Sequence, residues 1–178
     1  MARSKRRHAF TLIELLIVVA VIGIIAAILI PNLLDALQKA NQRRTMANMR
    51  NLGTAWYSWL TDVAAVASAG ANTFDWGLLD QDITAEGLLT TLYMSPTMFY
   101  TRHVPKDDGW GNAFDYAWSG NPSSQQVIGM RSLGRDGKEG PLDMNPYTVG
   151  PFVSTAYDED IVWADGIFLR YPQGAAVK

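Results

Sequence analysis

Between Phe10 and Ile30 the chain carries one charge, Glu14, in 21 residues. Such a run makes about 30 Å of α-helix, the thickness of a bilayer's hydrocarbon core. After Pro31 the pattern changes from continuous to periodic. Apolar residues return at Leu33, Leu34, Leu37, Ala40, Met46, Met49, Leu52, Trp56, Trp59, Leu60 and Val63, mostly in steps of three and four. Asp35, Lys39, Asn41, Arg43, Arg44, Asn48, Arg50 and Asn51 fill the other face. The pattern predicts one helix, apolar all round at first, that then lays a single stripe against a head. Pro31 removes a backbone donor and crowds the preceding turn, which predicts a bend or local melting there. Small residues from Ala64 to Ala69, then Gly70, predict the stop.

Residues 71–82 read as a loop. A second, short helix is expected from Thr84, with Thr84 as N-cap and Glu86 in the first turn, fading near Ser95-Pro96. Tyr100 to Asp108, containing Pro105, is a connector. Segments 113–118, 126–132 and 162–170 are rich in aromatic and branched residues between Gly, Asn and Pro turns, and so read as strands. The expected fold is α+β: a long N-terminal helix packed on a small head with a short helix and an antiparallel sheet of about three strands. Its expected parts are a leader (1–9), a membrane span (10–30), an extramembrane helix (31–70) and the head (71–178).

Charge sharpens this picture. Arg3, Lys5, Arg6 and Arg7 precede the apolar run with no acidic residue among them, which by the positive-inside rule keeps the N-terminus cytoplasmic and sends the rest outward. Without residues 1–9 the chain is 11 − 17 = −6, and from Asn51 onward it is 7 − 15 = −8. So acidic a head is a poor partner for nucleic acid, and it suits a divalent cation where the acids cluster. There is no cysteine and the only histidines are His8 and His103, so thiol catalysis and a typical zinc site lack their parts. No Gly-x-Ser-x-Gly elbow occurs. Enzymatic activity is therefore not expected; His103 reads as a surface or packing residue, and Trp56 and Trp59 as core.

Two ordinary readings compete for the apolar segment. A secretory signal peptide has an apolar region of about 7–15 residues before a small-residue cleavage site, shorter than this one. A plain signal anchor accounts for the hydrophobicity but not for Glu14, whose charge costs roughly 2–3 kcal/mol if it sits deep in lipid. The basic leader, the Ala9-Phe10 junction and Phe10-Thr11-Leu12-Ile13-Glu14 together resemble the prepilin signature of type IV pilins and type II secretion pseudopilins. The resemblance implies that a membrane peptidase cuts between Ala9 and Phe10 and that the new Phe10 amine is methylated. It also implies that the apolar helix becomes the core of a helical filament, with Glu14 paired to the Phe10 amine of a neighbouring subunit. Pro31, with Gly23 and Asn32, would mark where the helix loosens on assembly. The residue before the cut is usually Gly in that family; here it is Ala9.

The head carries further resemblances. Asp107-Asp108-Gly109-Trp110-Gly111-Asn112 is similar to the pseudopilin Asp-Pro-Trp-Gly-Asn segment, with Gly109 in the place of Pro; it reads as a structural corner. Ser132-Leu133-Gly134-Arg135-Asp136-Gly137 resembles the pseudopilin Ser-Leu-Gly-x-Asp-Gly loop, and Asp158-Glu159-Asp160-Ile161-Val162-Trp163 the acidic stretch that follows it. The resemblance implies a structural calcium ion held by the carboxylates of Asp136 and of one or both of Asp158 and Asp160. Ser132 and Leu133 would add carbonyl or hydroxyl oxygens. Calcium takes six to eight hard oxygen ligands, and a Gly-rich loop leaves carbonyls free to supply some of them. Pro141 to Tyr157 is longer than the family's connector, which admits Asp143 as an alternative ligand and otherwise matches nothing.

The whole resembles the major pseudopilin of a type II secretion system, a filament subunit anchored in the inner membrane. Implied partners are further copies in a helical homo-oligomer, minor pseudopilins, the prepilin peptidase, an assembly ATPase and an inner-membrane platform protein, with no nucleic acid. A type IV pilin for adhesion or twitching shares the leader, Glu14 and the helix, and stays open as an alternative. So does a membrane-anchored periplasmic binding domain that never polymerises.

Overall fold

A computed structural model describes residues 10–63, 73–74, 81–93, 100–119, 127–140 and 146–175. The long helix, α1, runs Leu12–Val63 without interruption. It continues through Pro31, so the local melting expected there does not occur; proline's fixed φ is compatible with a helix even though its missing N–H removes one bond. The expected stop at 64–70 lies outside the described residues. The chain divides into two compact units, Met1–Leu37 and Gln38–Lys178, so the second half of α1 belongs with the head.

The short helix α2 is Ala85–Leu92, and Thr84 caps it as expected, its hydroxyl accepting from Gly87 N–H at 3.1 Å. It closes at Tyr93, before Ser95, where the Tyr93 N–H bonds to the Leu89 carbonyl. Eight strands are described: β1 Thr73–Phe74, β2 Gln81–Ile83, β3 Asp115–Trp118, β4 Ile128–Ser132, β5 Tyr147–Thr148, β6 Gly150–Phe152, β7 Ile161–Ala164 and β8 Ile167–Pro172. Six form the main sheet in the order β2-β3-β4-β7-β8-β6, antiparallel except for the parallel β6–β8 edge; β1 and β5 pair separately. The sheet is thus wider than the three strands expected. The expected strand over 162–170 is a hairpin, turned at Asp165 (φ 47°) and Gly166 (φ 99°). The 141–157 segment adds β6 to the main sheet and supplies β5, which pairs apart with β1.

Strand alternation places every second side chain on one face of a sheet. On one face Tyr116, Ile128, Met130, Ile161, Trp163 and Phe168 pack with Met46, Met49, Leu52, Trp56 and Leu60 of α1. On the other, Ala117, Val162, Ala164 and Leu169 meet Tyr147 in a smaller cluster. Gly53 lets α1 approach: a Cβ there would lie 2.4 Å from the Trp163 ring. The buried stripe of α1 starts at Gln42 and Thr45, two polar residues that hydropathy had hidden. Leu33, Leu34 and Leu37, expected on the stripe, are exposed.

Candidate functional site

The first candidate is the start of α1. Thr11 and Glu14 form a reciprocal capping box: the Thr11 hydroxyl accepts from Glu14 N–H at 3.2 Å, while the Glu14 carboxylate accepts from Thr11 N–H at 2.8 Å and from its hydroxyl at 2.9 Å. This local role for Glu14 was readable from the Thr-x-x-Glu spacing, yet it was not part of the sequence reading. Phe10 is 79% exposed. Ala9 lies outside the described residues. Of the exposed large hydrophobics, all but Tyr93, Val153 and Ile167 fall between Phe10 and Leu37. The helix is long and apolar enough to cross a membrane, and none of its most apolar window is buried.

The second candidate is the junction of the 132–140 loop with the 157–160 stretch. The two do meet: Arg135 N–H donates to the Tyr157 carbonyl at 2.8 Å. Gly134, at φ 67°, sits so close that a Cβ would lie 2.9 Å from the carbonyl oxygens of both Tyr157 and Glu159. A side chain there would strain the backbone and push the two stretches apart.

The expected ligands do not all face one point. Asp158 is gripped at both oxygens by Arg135, Nε to Oδ1 at 2.8 Å and Nη2 to Oδ2 at 2.7 Å, and that guanidinium holds its carboxyl below the usual range. The Asp136 carboxylate folds back to accept from Lys138 N–H at 3.1 Å. Buried Ser132 donates its hydroxyl to Asp108 at 2.7 Å, and Leu133 is half-buried. Asp160 is 2% exposed; its Oδ2 accepts from the Tyr147 hydroxyl and from Gly140 N–H, and its Oδ1 is buried without a hydrogen-bond partner. Burial pushes its carboxyl up, against the pull of those two donors. Among the described residues no three Asp, Glu or His side chains gather as a metal-ion cage. The alternative ligand Asp143 lies outside the described residues.

Arginines answer much of the acidic charge. Arg170 binds Glu159 at 2.7 Å. Arg131, 9% exposed on β4, reaches Asp115 at 2.8 Å, Glu139 at 2.7 Å and the Tyr147 hydroxyl at 3.3 Å. Neither Arg131 nor Tyr147 was singled out in the sequence, because nothing local marks a residue whose partners lie 8 to 16 positions away.

The Asp108–Asn112 corner is structural, as expected. Asp108 Oδ1 accepts from Trp110 N–H and Asn112 N–H, both at 2.9 Å, closing the turn. Gly109 N–H donates to Thr45 Oγ1 at 2.8 Å and Trp110 Nε1–H to Gln38 Oε1 at 2.6 Å, so the corner docks on α1. Gly109 is required there: a Cβ would lie 2.2 Å from the Asn41 carbonyl oxygen.

An apolar N-terminal helix that runs on into an α+β head, one face packed on a mainly antiparallel sheet, is the architecture of a pilin-like chain. Residues 4–30 match the prokaryotic N-terminal methylation motif. The type II secretion system core protein G of Vibrio cholerae serotype O1 is 30% identical over 151 residues, 79% of this chain and 88% of the relative. That of Klebsiella pneumoniae is 25% identical over 147 residues, 82% of this chain and 98% of the relative. The type IV major pilin protein PilA of Myxococcus xanthus is 46% identical over 59 residues, a third of this chain and 27% of the relative. No solved structure matches. The chain belongs to the family of type II secretion system core protein G, the major pseudopilins.

Proposed function

We propose that this chain is the structural, non-enzymatic subunit of a pilus-like periplasmic filament that drives protein export through a type II secretion system. The observation that carries the reading is likeness to core protein G along nearly the whole of that relative, 88% of its length, together with the methylation motif. The likeness to a type IV pilin covers only a third of the chain, which favours secretion over adhesion. On this reading the chain sits in the inner membrane with its N-terminus cytoplasmic and its head periplasmic. It is cut between Ala9 and Phe10, and assembles with minor pseudopilins through the peptidase, the ATPase and the platform protein. Deleting its gene should leave exoproteins in the periplasm while surface attachment and twitching continue. Unchanged export with lost twitching would instead make it a type IV pilin.

Calcium belongs to the same reading. Asp136, Asp158 and Asp160, with oxygens from Ser132 and Leu133, would hold the ion, and it would tie the 132–140 loop to the acidic stretch. Two features favour it: the stretches already touch through Gly134, and Asp160 Oδ1 lacks a partner. Asp158 would have to exchange Arg135 for the ion. A melting temperature that rises with millimolar calcium and falls in chelator is expected; indifference to both would leave the arginines as the sole counter-charges.

A further inference from the structure

The large apolar side chains of α1 stay exposed from Leu12 to Leu37, a run of 26 residues. At 1.5 Å per residue that is about 39 Å, more than the ~30 Å hydrocarbon core of a bilayer and close to its ~40–45 Å thickness with headgroups. Charge changes abruptly just past this run. From Gln38 to Arg50 the helix carries Lys39, Arg43, Arg44 and Arg50 and no acidic residue, whereas from Asn51 onward the chain is 7 − 15 = −8. Basic residues therefore follow the apolar run directly, and acidic ones come later in the chain.

Arg43 and Arg44 are exposed, and among the described residues neither guanidinium is engaged in a hydrogen bond or an ion pair. Asp35 and Lys39 already have partners, and Arg50 lies over the Phe168 ring at 5.7 Å. Arg44 shares a cleft wall with Asp107, and no ion pair joins the two. Cα–Cβ bonds of a helix tilt toward its N-terminus, so both arginine stems leave α1 leaning toward the apolar run. A guanidinium presents a fork of donors that matches the oxygens of a phosphate. The acidic head of another copy is a poorer occupant, because Arg131, Arg135 and Arg170 already answer carboxylates there. We propose that Arg43 and Arg44 bind the phosphates of anionic phospholipids on the head's side of the membrane that α1 crosses. The proposal rests on the membrane-anchored reading of α1. It adds a headgroup contact that holds the inserted chain and has to be released when the chain leaves the bilayer for a filament.

The test reconstitutes the full chain in phosphatidylcholine vesicles with a trace of spin-labelled phosphatidylglycerol or phosphatidylcholine. Electron paramagnetic resonance then reads which lipid the chain prefers. Wild type should prefer phosphatidylglycerol, and Arg43→Gln with Arg44→Gln should cut the preference about threefold or more at unchanged melting temperature. Cations before the apolar run are the same in both chains, so the difference belongs to the arginine pair. Arg43→Lys with Arg44→Lys should keep most of the preference, because it keeps the charge. Full preference in the glutamine variant overturns the proposal, as does an equal loss from Arg50→Gln, which would mean diffuse charge. Inorganic phosphate at millimolar concentration and constant ionic strength should leave the preference in place; its abolition would make free phosphate the ligand. A glutamine variant that loses crosslinking between copies while keeping the lipid preference would make a second copy the partner. Chains that stay out of the vesicles on flotation would sink the membrane reading itself, whereas chains that float without any preference sink only the lipid contact.

Discussion

The two units of the chain bury opposite things. In Met1–Leu37 the large apolar side chains are exposed along the helix, from Phe10 at 79% to Leu37 at 49%. In Gln38–Lys178 even charged groups are buried, among them Asp108, Arg131 and Asp160. Among the described residues the first unit has no buried apolar side chain, and an apolar surface of that extent has to be covered by lipid or by other chains. The second has an apolar core of its own, and the carboxylates and guanidinium of Asp108, Arg131 and Asp160 each find partners within it. On the filament reading, the first region serves assembly and the second stands in water.

Glu14 offers the sharpest way to break this comparison, since it is the one charge between Phe10 and Ile30. Its capping-box role would survive in Glu14→Gln, because a glutamine can also accept from Thr11 N–H. The charge needed to meet a neighbour's Phe10 amine would not. Glu14→Gln should insert and be processed yet lose filaments by more than tenfold in shearing assays; wild-type yield would reduce Glu14 to a helix cap.

In the head, the largest effect is expected where backbone meets backbone. Gly109→Ala would press a methyl into the Asn41 carbonyl and displace the corner from Thr45. A loss of about 2–4 kcal/mol is expected by denaturant unfolding. A loss below about 0.5 kcal/mol would show that the corner can move.

Arg135→Ala tests whether the proposed calcium ion would compete with Arg135 for Asp158. The pair is about half exposed, so solvent screens it and on its own it contributes little. In chelator the variant should melt within a few degrees of wild type. With calcium its stabilisation should exceed that of wild type, because Asp158 is released to the ion. Equal responses would mean that Arg135 and calcium do not compete.

The smallest effect is at Asp165, in the β7–β8 turn, whose Oδ1 accepts from Val127 N–H at 3.1 Å and Ile128 N–H at 3.0 Å. Burial raises its carboxyl above the ordinary range, so ionising it costs stability as pH climbs from the unfolded carboxylate value through the folded one. Asparagine keeps the acceptor and tolerates the positive φ without the charge. Asp165→Asn should gain about 1 kcal/mol or less at pH 7, with the advantage vanishing towards pH 3. An advantage independent of pH would exclude the charge as its cause.

What the sequence made legible follows from range. The long helix, the Thr84 cap and the Asp108 corner depend on residues within a few positions of each other, so their patterns show locally. The meeting of the 132–140 loop with the acidic stretch came through a family resemblance, and the structure joins them at Gly134. The roles of Arg131 and Tyr147 were invisible, because a buried polar residue is recognised only by partners that the fold brings from elsewhere. The 162–170 strand was read as one element because Asp165-Gly166, a two-residue turn, lies inside an otherwise β-rich run.

The central claim, that the exposed apolar unit is a processed filament core, is tested most directly by the N-terminal mass of the chain in sheared filaments. The account predicts a mature chain that begins at Phe10 and carries one methyl group on its amine. A chain beginning at Met1, or cut near Ala26-Ala27, would contradict it.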